Sequence, residues 1–269
     1  SLDNSTYKQW VFRYTFLELE KDLGAKGDIT TKAIFKENMM AKAKVMAKDD
    51  GIFAGKDEIQ YFLVDADPNF RPGIRGSFKL KFNFEDGQGF RAGDVLMELE
   101  ADVHDLLAVE RVLVNLIMRM SAVATFTRKM VNLVSEYDVL ITPTRKSLWG
   151  LIDKKATVIG GAGTHRLGLF DAFLVKDTHL DLIDRDLDRV VKNIVDSGFE
   201  GRFLEIEVES KAEALHAAEV LCKNDLKMIG ILLLDNMTAD QVKEAMEAVK
   251  AAGFYENLLF EASGGINET

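Results

Sequence analysis

The sequence predicts an α/β chain in two parts: an α+β domain over residues 1–105, then, over residues 106–269, alternating strands and helices that form a barrel or an open doubly wound sheet. Three observations predict it. Five short apolar runs in the second half each end in charged or polar groups, amphipathic helical patterns separate them, and the N-terminal part instead shows period-two alternation broken by glycines.

In chain order, Met40–Lys48 and Lys79–Phe84 alternate apolar and polar residues, as half-buried antiparallel strands do. Gly51, Gly55, Gly73, Gly76, Gly87, Gly89 and Gly93 mark the turns around them. From Ala101 to about Val134 neither Gly nor Pro interrupts the chain. Leu106, Val109, Leu113, Leu116, Ile117 and Met120 recur there at helical spacing, so a long helix links the two parts. The predicted strands that follow are Val139–Thr144, Phe173–Lys176, Phe203–Val208, Met228–Asp235 and Asn257–Ser263. Asp184 is placed to cap a helix carrying Leu187, Val190, Val191, Ile194 and Val195, which Gly198 ends. Ser210 with Glu213, and Thr238 with Gln241, form capping-box patterns ahead of the next two helices. Parallel strands joined this way need right-handed crossovers.

With 269 residues, 47% apolar and 29% charged, the chain can bury a large core. The first twenty residues scatter Asp3, Lys8, Arg13, Glu18 and Glu20 among apolar groups, unlike a signal peptide. No stretch is long enough to span a bilayer, so a soluble protein is expected. A formal charge of −10 with no continuous basic run argues against nucleic acid and anionic membranes as partners. The lone Cys222 excludes an internal disulfide and a clustered-thiolate metal site, which points to a reducing cytoplasm.

The carboxyl ends of parallel strands share one face, where catalytic groups collect. Just past the apolar runs stand Arg145 and Lys146, Lys176 and Asp177, Glu207 and Glu209, Asp235 and Asn236, and Ser263, Gly264 and Gly265. One pocket is expected there. Cations recur at Arg145, Lys146, His165, Arg166 and Lys176 in an otherwise acidic chain, which suggests an anionic ligand bearing carboxylate and phosphate groups. Taken singly, Arg145 and Lys146 read equally well as solvated loop charge. The run Gly160-Gly161-Ala162-Gly163-Thr164-His165-Arg166 sets glycines against two of these cations, yet it fits neither the dinucleotide fingerprint nor a P-loop and reads as well as a tight connection. Glu207, Glu209 and Asp235 either hold a hydrated Mg²⁺ near bound phosphates or pair with the basic cluster. Glu205 and Glu207 share one strand face and need partners if buried. His104 is expected near a helix start, His216 on a helix surface and Cys222 as a packed thiol, while His179, after a strand end, either orients its neighbours or touches ligand.

These motifs resemble quinolinate phosphoribosyltransferase, also called nicotinate-nucleotide pyrophosphorylase (decarboxylating). The similar stretches are Gly27-Asp28-Ile29-Thr30-Thr31, Glu110-Arg111 with Asn115, Ser121 through Thr127, Thr144-Arg145-Lys146, Gly160 through Arg166, Lys176-Asp177, Glu205 through Glu209, Leu234-Asp235-Asn236 and Glu261 through Ile266, in family order. The resemblance implies an N-terminal α+β open sandwich followed by an incomplete TIM-like α/β barrel. It also implies a reaction of quinolinate with phosphoribosyl pyrophosphate, giving nicotinate mononucleotide, pyrophosphate and carbon dioxide, with Mg²⁺. By motif position, Arg145, His165 and Arg166 would bind the two substrate carboxylates, with Thr144 beside them. Lys146 and Lys176 would contact substrate or the phosphoribosyl donor; Glu207 and Asp235 would hold ribose hydroxyls and metal. Ser263 and Gly264 would begin the phosphate-binding end. A homodimer or a higher oligomer is implied, with Arg111 of one subunit completing the other's pocket.

Some positions depart from the family pattern. Leu148-Trp149 stands where the family favours Thr-Pro, Thr164 and Thr178 each replace an Asn, and Ala122-Val123 replaces Gly-Ile. Relatives continue through another phosphate-binding strand past the position of Thr269, so either the sequence is truncated there or this homologue lacks that part. Two alternatives stay open: a phosphoribosyltransferase of the same fold for another heterocyclic carboxylate, and a non-catalytic ligand-binding homologue.

Overall fold

The structure, a computed structural model, describes residues 1–67, 71–224 and 226–267. The expected end at Thr269 lies outside them. The chain divides into two units, Ser1–His165 and Arg166–Thr269.

The first unit opens with helix α1 (Ser5–Leu23), capped by Asn4, whose side chain accepts from the Tyr7 N–H at 2.9 Å. Tyr7, Val11, Thr15 and Leu19, each four residues apart, form its buried stripe. Asp28 caps the short α2 (Ile29–Ile34) by accepting from the Thr30 and Thr31 N–H groups, both at 3.0 Å. Strands β1 (Met40–Met46), β2 (Gly51–Ile52), β3 (Lys79–Phe82), β4 (Gly89–Phe90) and β5 (Val95–Asp102) follow, with α3 (Lys56–Gln60) and a π-helical turn, Tyr61–Asp65, between β2 and β3. The expected antiparallel alternation is present: β5 lies between β1 and β3, and β2 pairs with β4. Met97, Leu99 and Ala101 of β5 point into a core shared with α4 (Val103–Leu133), whose Val109, Leu113, Leu116, Ile117, Met120 and Ala124 are buried. The long helix starts where β5 ends, with Asp102 accepting from the His104 N–H at 2.9 Å.

Helix α5 (Leu151–Gly160) packs on α4. A Cβ at Gly160 would lie 2.6 Å from Thr127 Cβ and 2.7 Å from the Ala124 carbonyl oxygen, so this glycine permits the close crossing. The predicted strand Val139–Thr144 does not form a strand. It has no regular structure and is tied by a bond from the Gly163 N–H to the Ile141 oxygen at 2.8 Å. Pro143 has no N–H to give a ladder, which limits pairing at that end.

The second unit is a four-stranded parallel sheet in sequential order, β6 (Phe173–Val175), β7 (Phe203–Val208), β8 (Ile229–Asp235) and β9 (Leu258–Ser263). Helices α6 (Asp177–Asp181), α7 (Leu187–Asp196), α8 (Lys211–Lys223) and α9 (Ala239–Ala251) alternate with the strands. Leu204, Ile206 and Val208 of β7 and Leu232 and Leu234 of β8 pack with Val191, Ala214, Ala217, Ala218, Leu221, Ala245 and Val249. Alternation then turns Glu205, Glu207, Leu233 and Asp235 to the opposite face. The Thr238–Gln241 capping box is complete. Ser210 accepts from the Glu213 N–H as expected, but the Glu213 carboxylate reaches one residue further back, to the Glu209 N–H at 2.8 Å.

Asp184 does not cap α7; Asp186 does, accepting from the Arg189 N–H at 3.0 Å. Asp184 and Arg185 have φ of 54° and 55°, and the Arg185 N–H donates to the Leu180 oxygen, so the pair finishes the turn of α6. Gly198, with φ 69°, follows the end of α7. Among the described residues no helix is long and apolar enough to cross a membrane.

Candidate active site

In the first unit the candidate cations sit on two loops held to one helix. Arg145 and Lys146 are exposed on a turn in which Thr144 Oγ1 accepts from the Lys146 N–H at 3.1 Å and the Ser147 N–H donates to the Arg145 oxygen at 2.9 Å. Ser147 Oγ donates to the Asp153 carboxylate and accepts from the Trp149 N–H at 3.1 Å. Asp153, at the start of α5, takes a two-pronged bond from Arg119 of α4, at 2.8 Å (Nε) and 2.6 Å (Nη2). That hydrogen bond to the carboxylate raises the Arg119 pKa.

The second loop is the glycine run. Gly161 ends α5 with φ 105°, Arg128 Nε donates to the Gly160 oxygen at 2.8 Å, and Gly163 makes the bond to Ile141. These glycines therefore serve packing and turning. The loop delivers His165 at φ 50°, a left-handed conformation rare for a non-glycine, with Thr164 Oγ1 donating to the His165 oxygen at 2.9 Å. Lys154 is 5% exposed, and its Nζ lies 2.5 Å from the Thr164 oxygen and 3.5 Å from that of Pro143. Arg119, Asp153 and Lys154 carry no signal by sequence alone, since charged residues on helices ordinarily face water. Trp149 packs its ring 4.5 Å from that of Tyr14, with the Arg119 guanidinium 5.9 Å from its centre. Arg111 stands elsewhere on α4, exposed, 3.6 Å from Glu110.

In the second unit the strand ends carry the remaining candidates. Arg166 is buried. Lys176 follows β6 and donates from Nζ to Glu207 Oε2 of β7 at 2.5 Å. His179 Nδ1 accepts from the Lys176 N–H at 2.9 Å and so orients that strand end. Asp235 and Ser263 face each other in register at the ends of β8 and β9. Asn236 has φ 55°; its side chain donates to Asp235 Oδ2 at 2.6 Å, and its N–H donates to the Ser263 oxygen at 2.9 Å. Gly264 follows at φ 85°. Glu209 is exposed beside the α8 cap. Outside the strand ends, His104 begins α4, His216 is exposed on α8, and Cys222 packs against the core.

The sheet end of the second unit thus offers an ammonium, two carboxylates and a hydroxyl on adjacent strands. The loops of the first unit offer a guanidinium, an ammonium and an imidazole. The loop cations of the first unit can clamp carboxylates and phosphates, and the strand-end carboxylates of the second can stabilise positive charge on a sugar. Among the described residues Glu207 Oε1 and Asp235 Oδ1 accept no hydrogen bond. Hard oxygen donors of this kind fit a Mg²⁺ that keeps most of its waters.

Comparison with known proteins matches residues 28–121 to the quinolinate phosphoribosyl transferase N-terminal domain and residues 123–269 to the C-terminal domain of the same family. A probable nicotinate-nucleotide pyrophosphorylase [carboxylating] of Methanothermobacter thermautotrophicus is 31% identical over 252 residues, 92% of this chain and 84% of that protein. Quinolinate phosphoribosyltransferase [decarboxylating] 1 of Nicotiana glauca is 30% identical over 264 residues, 93% of this chain and 71% of its own. Among solved structures, NadC from Streptococcus pyogenes superposes with a TM-score of 0.78 at 28% identity, covering 95% of this chain and 83% of that one.

Proposed function

Since the chain belongs to the quinolinate phosphoribosyltransferase family, we propose that it joins quinolinate to phosphoribosyl pyrophosphate, releasing carbon dioxide and pyrophosphate and forming nicotinate mononucleotide for NAD biosynthesis. The observation that carries this reading is the match of both family domains, which together span residues 28–269 and include every strand-end cation and carboxylate described above. The Trp149 departure also agrees with it, because that side chain is taken up in packing against Tyr14 and Arg119.

In this reading Arg145, His165 and Arg166 bind the two quinolinate carboxylates, with Thr144 shaping the turn that presents Arg145. Lys146 and Lys176 contact the acid or the donor, Glu207 and Asp235 hold the ribose hydroxyls, and Ser263 and Gly264 begin the phosphate cradle. The pyridine nitrogen forms a bond to the anomeric carbon as the bond to pyrophosphate breaks. Loss of the neighbouring carboxylate as carbon dioxide leaves an electron pair on the ring carbon, which takes up a proton. Positive charge grows on the sugar along this path, and nearby carboxylates stabilise it. Cationic clamps hold the nitrogen in line with the anomeric carbon, so much of the rate comes from orientation. Glu207 and Asp235 would hold Mg²⁺, which when bound neutralises charge on the departing pyrophosphate.

The protein would act as a cytoplasmic homodimer or larger assembly, with an incomplete TIM-like barrel as its catalytic part and Arg111 of the partner subunit completing each pocket. The exposure of Arg111 on α4 supports this. The test is release of labelled carbon dioxide and of pyrophosphate from carboxyl-labelled quinolinate, phosphoribosyl pyrophosphate and Mg²⁺. Both products are expected; release of neither, with quinolinate still bound, would mark a non-catalytic homologue.

A further inference from the structure

We propose that Lys154, with Asp153 beside it, is a positioning residue that holds His165 and the Arg145–Lys146 turn in the arrangement that binds a dicarboxylate. The proposal rests on the function proposed above. A lysine is rarely buried unless its ammonium is bonded, and Lys154 is 5% exposed with Nζ 2.5 Å from the Thr164 carbonyl oxygen. A charge-assisted bond of that length is among the stronger hydrogen bonds of a protein. It anchors the carbonyl of the peptide group that leads into His165. That group is planar, so fixing its oxygen fixes the plane from which the φ of His165 is set. The φ is 50°, a conformation that costs a side chain about 1–2 kcal/mol and persists only where the surroundings over-determine it. Lys154 Nζ from one side and Thr164 Oγ1, bonded to the His165 oxygen, from the other supply that determination.

The same helical turn holds the other loop at both ends. Pro143, two residues before Arg145, lies within 3.5 Å of Lys154 Nζ through its oxygen. Ser147, directly after Lys146, donates to Asp153, which Arg119 in turn locks to α4. Consecutive residues of α5 thus bind the start and finish of one cation-bearing loop and the approach to a second. A dicarboxylate senses the spacing of its two clamps directly, whereas the donor, held chiefly by the strand-end carboxylates, feels the loops only through Lys146. Lys154 therefore governs affinity for the acid.

The experiment compares Lys154→Met and Lys154→Arg with the unaltered protein, measuring melting temperature, quinolinate binding by calorimetry, and KM for each substrate with kcat. Losing a hydrogen bond to a charged group predicts that Lys154→Met weakens quinolinate binding by about tenfold or more, in both Kd and KM. KM for phosphoribosyl pyrophosphate should stay within about twofold, and Lys154→Arg, which keeps the charge, should recover part of the loss. An unchanged quinolinate Kd in folded Lys154→Met overturns the proposal, as does a parallel rise of both KM values. Should Lys154→Met not fold, Ser147→Ala, which frees the far end of the loop without burying a new group, decides. A selective rise in quinolinate KM supports the proposal, and no change defeats it. Absence of quinolinate binding by the unaltered protein would instead overturn the functional reading, and this inference with it.

Discussion

Gly264 is pressed against Asn236. A Cβ at that glycine would lie 2.8 Å from Asn236 Cγ and 2.9 Å from its backbone nitrogen. Asn236 itself bonds Asp235 through its side chain and Ser263 through its backbone. The glycine, at φ 85°, and the left-handed asparagine, at φ 55°, lock the ends of two neighbouring strands together.

Gly264→Ala should therefore damage both stability and donor binding. The crowding and the left-handed backbone together predict a loss of about 1–3 kcal/mol. Thermal denaturation should show a lower midpoint and kinetics a higher KM for phosphoribosyl pyrophosphate. A variant with both values unchanged would show that the strand ends move apart freely.

Glu207→Ala should leave a folded protein with little activity. Lys176 is its partner at 2.5 Å, but the lysine side chain is 42% exposed and water can take over its solvation, so the melting temperature should barely move. Loss of a carboxylate that meets charge in the transition state predicts a fall in kcat of about a hundredfold. Lys146→Ala should likewise abolish most product formation. Near-normal turnover in both would remove these residues from the site.

Stability should fall as pH rises above about 4.5 because of one buried acid. Glu58 is fully buried, and its Oε1 accepts from the Tyr7 hydroxyl at 2.6 Å. Burial raises its pKa, with Asp86 pushing the same way and the Tyr7 bond and Lys155 opposing. A carboxyl raised in the folded state contributes fully below its ordinary value of 4.5, and that contribution is lost as pH climbs through the raised value. Burial raises Asp86 too, so it adds to the same slope. Melting curves from pH 4 to 9 should show Glu58→Gln with a flatter decline than the unaltered protein, and Glu58→Gln with Asp86→Asn flatter still. Parallel curves would mean that burial does not raise the Glu58 pKa.

Arg111→Ala and Glu207→Ala, each inactive alone, should regain activity when co-expressed. A mixed dimer would carry one site that draws its arginine from the Glu207→Ala subunit and its carboxylate from the other. Assay of tagged, purified hybrids checks this, and silence in the hybrid would show that Arg111 serves its own subunit or none.

Much of this was legible in the letters. Strand β7 has the bounds that its apolar alternation predicts, and β8 and β9 begin one residue later than predicted. In such strands the buried face and the helix signals agree. Val139–Thr144 was not legible, because an apolar run shows that residues are hydrophobic without showing that a neighbour offers them a ladder. Asp184 and Asp186 are equally good caps by composition, and only the left-handed turn at Asp184 and Arg185 separates them. The candidate catalytic residues stood out because charge at a strand end is unusual. Lys154 and Asp153 did not, since a charged pair on a helix looks like solvated surface until the fold places two carbonyls and a hydroxyl around it.

Strand β7 alternates its duties residue by residue: Leu204, Ile206 and Val208 grip the helices, while Glu205 and Glu207 occupy the other side of the sheet. Substitution and deletion are consequently very different events there. Replacement of Glu207 changes the chemistry at the strand end while the helix-facing residues stay in place, whereas removing one residue swaps the inventories of the two faces and sets carboxylates among the alanines of α8. At Glu207 the strand is open to change in composition, and along its whole run it is closed to change in length.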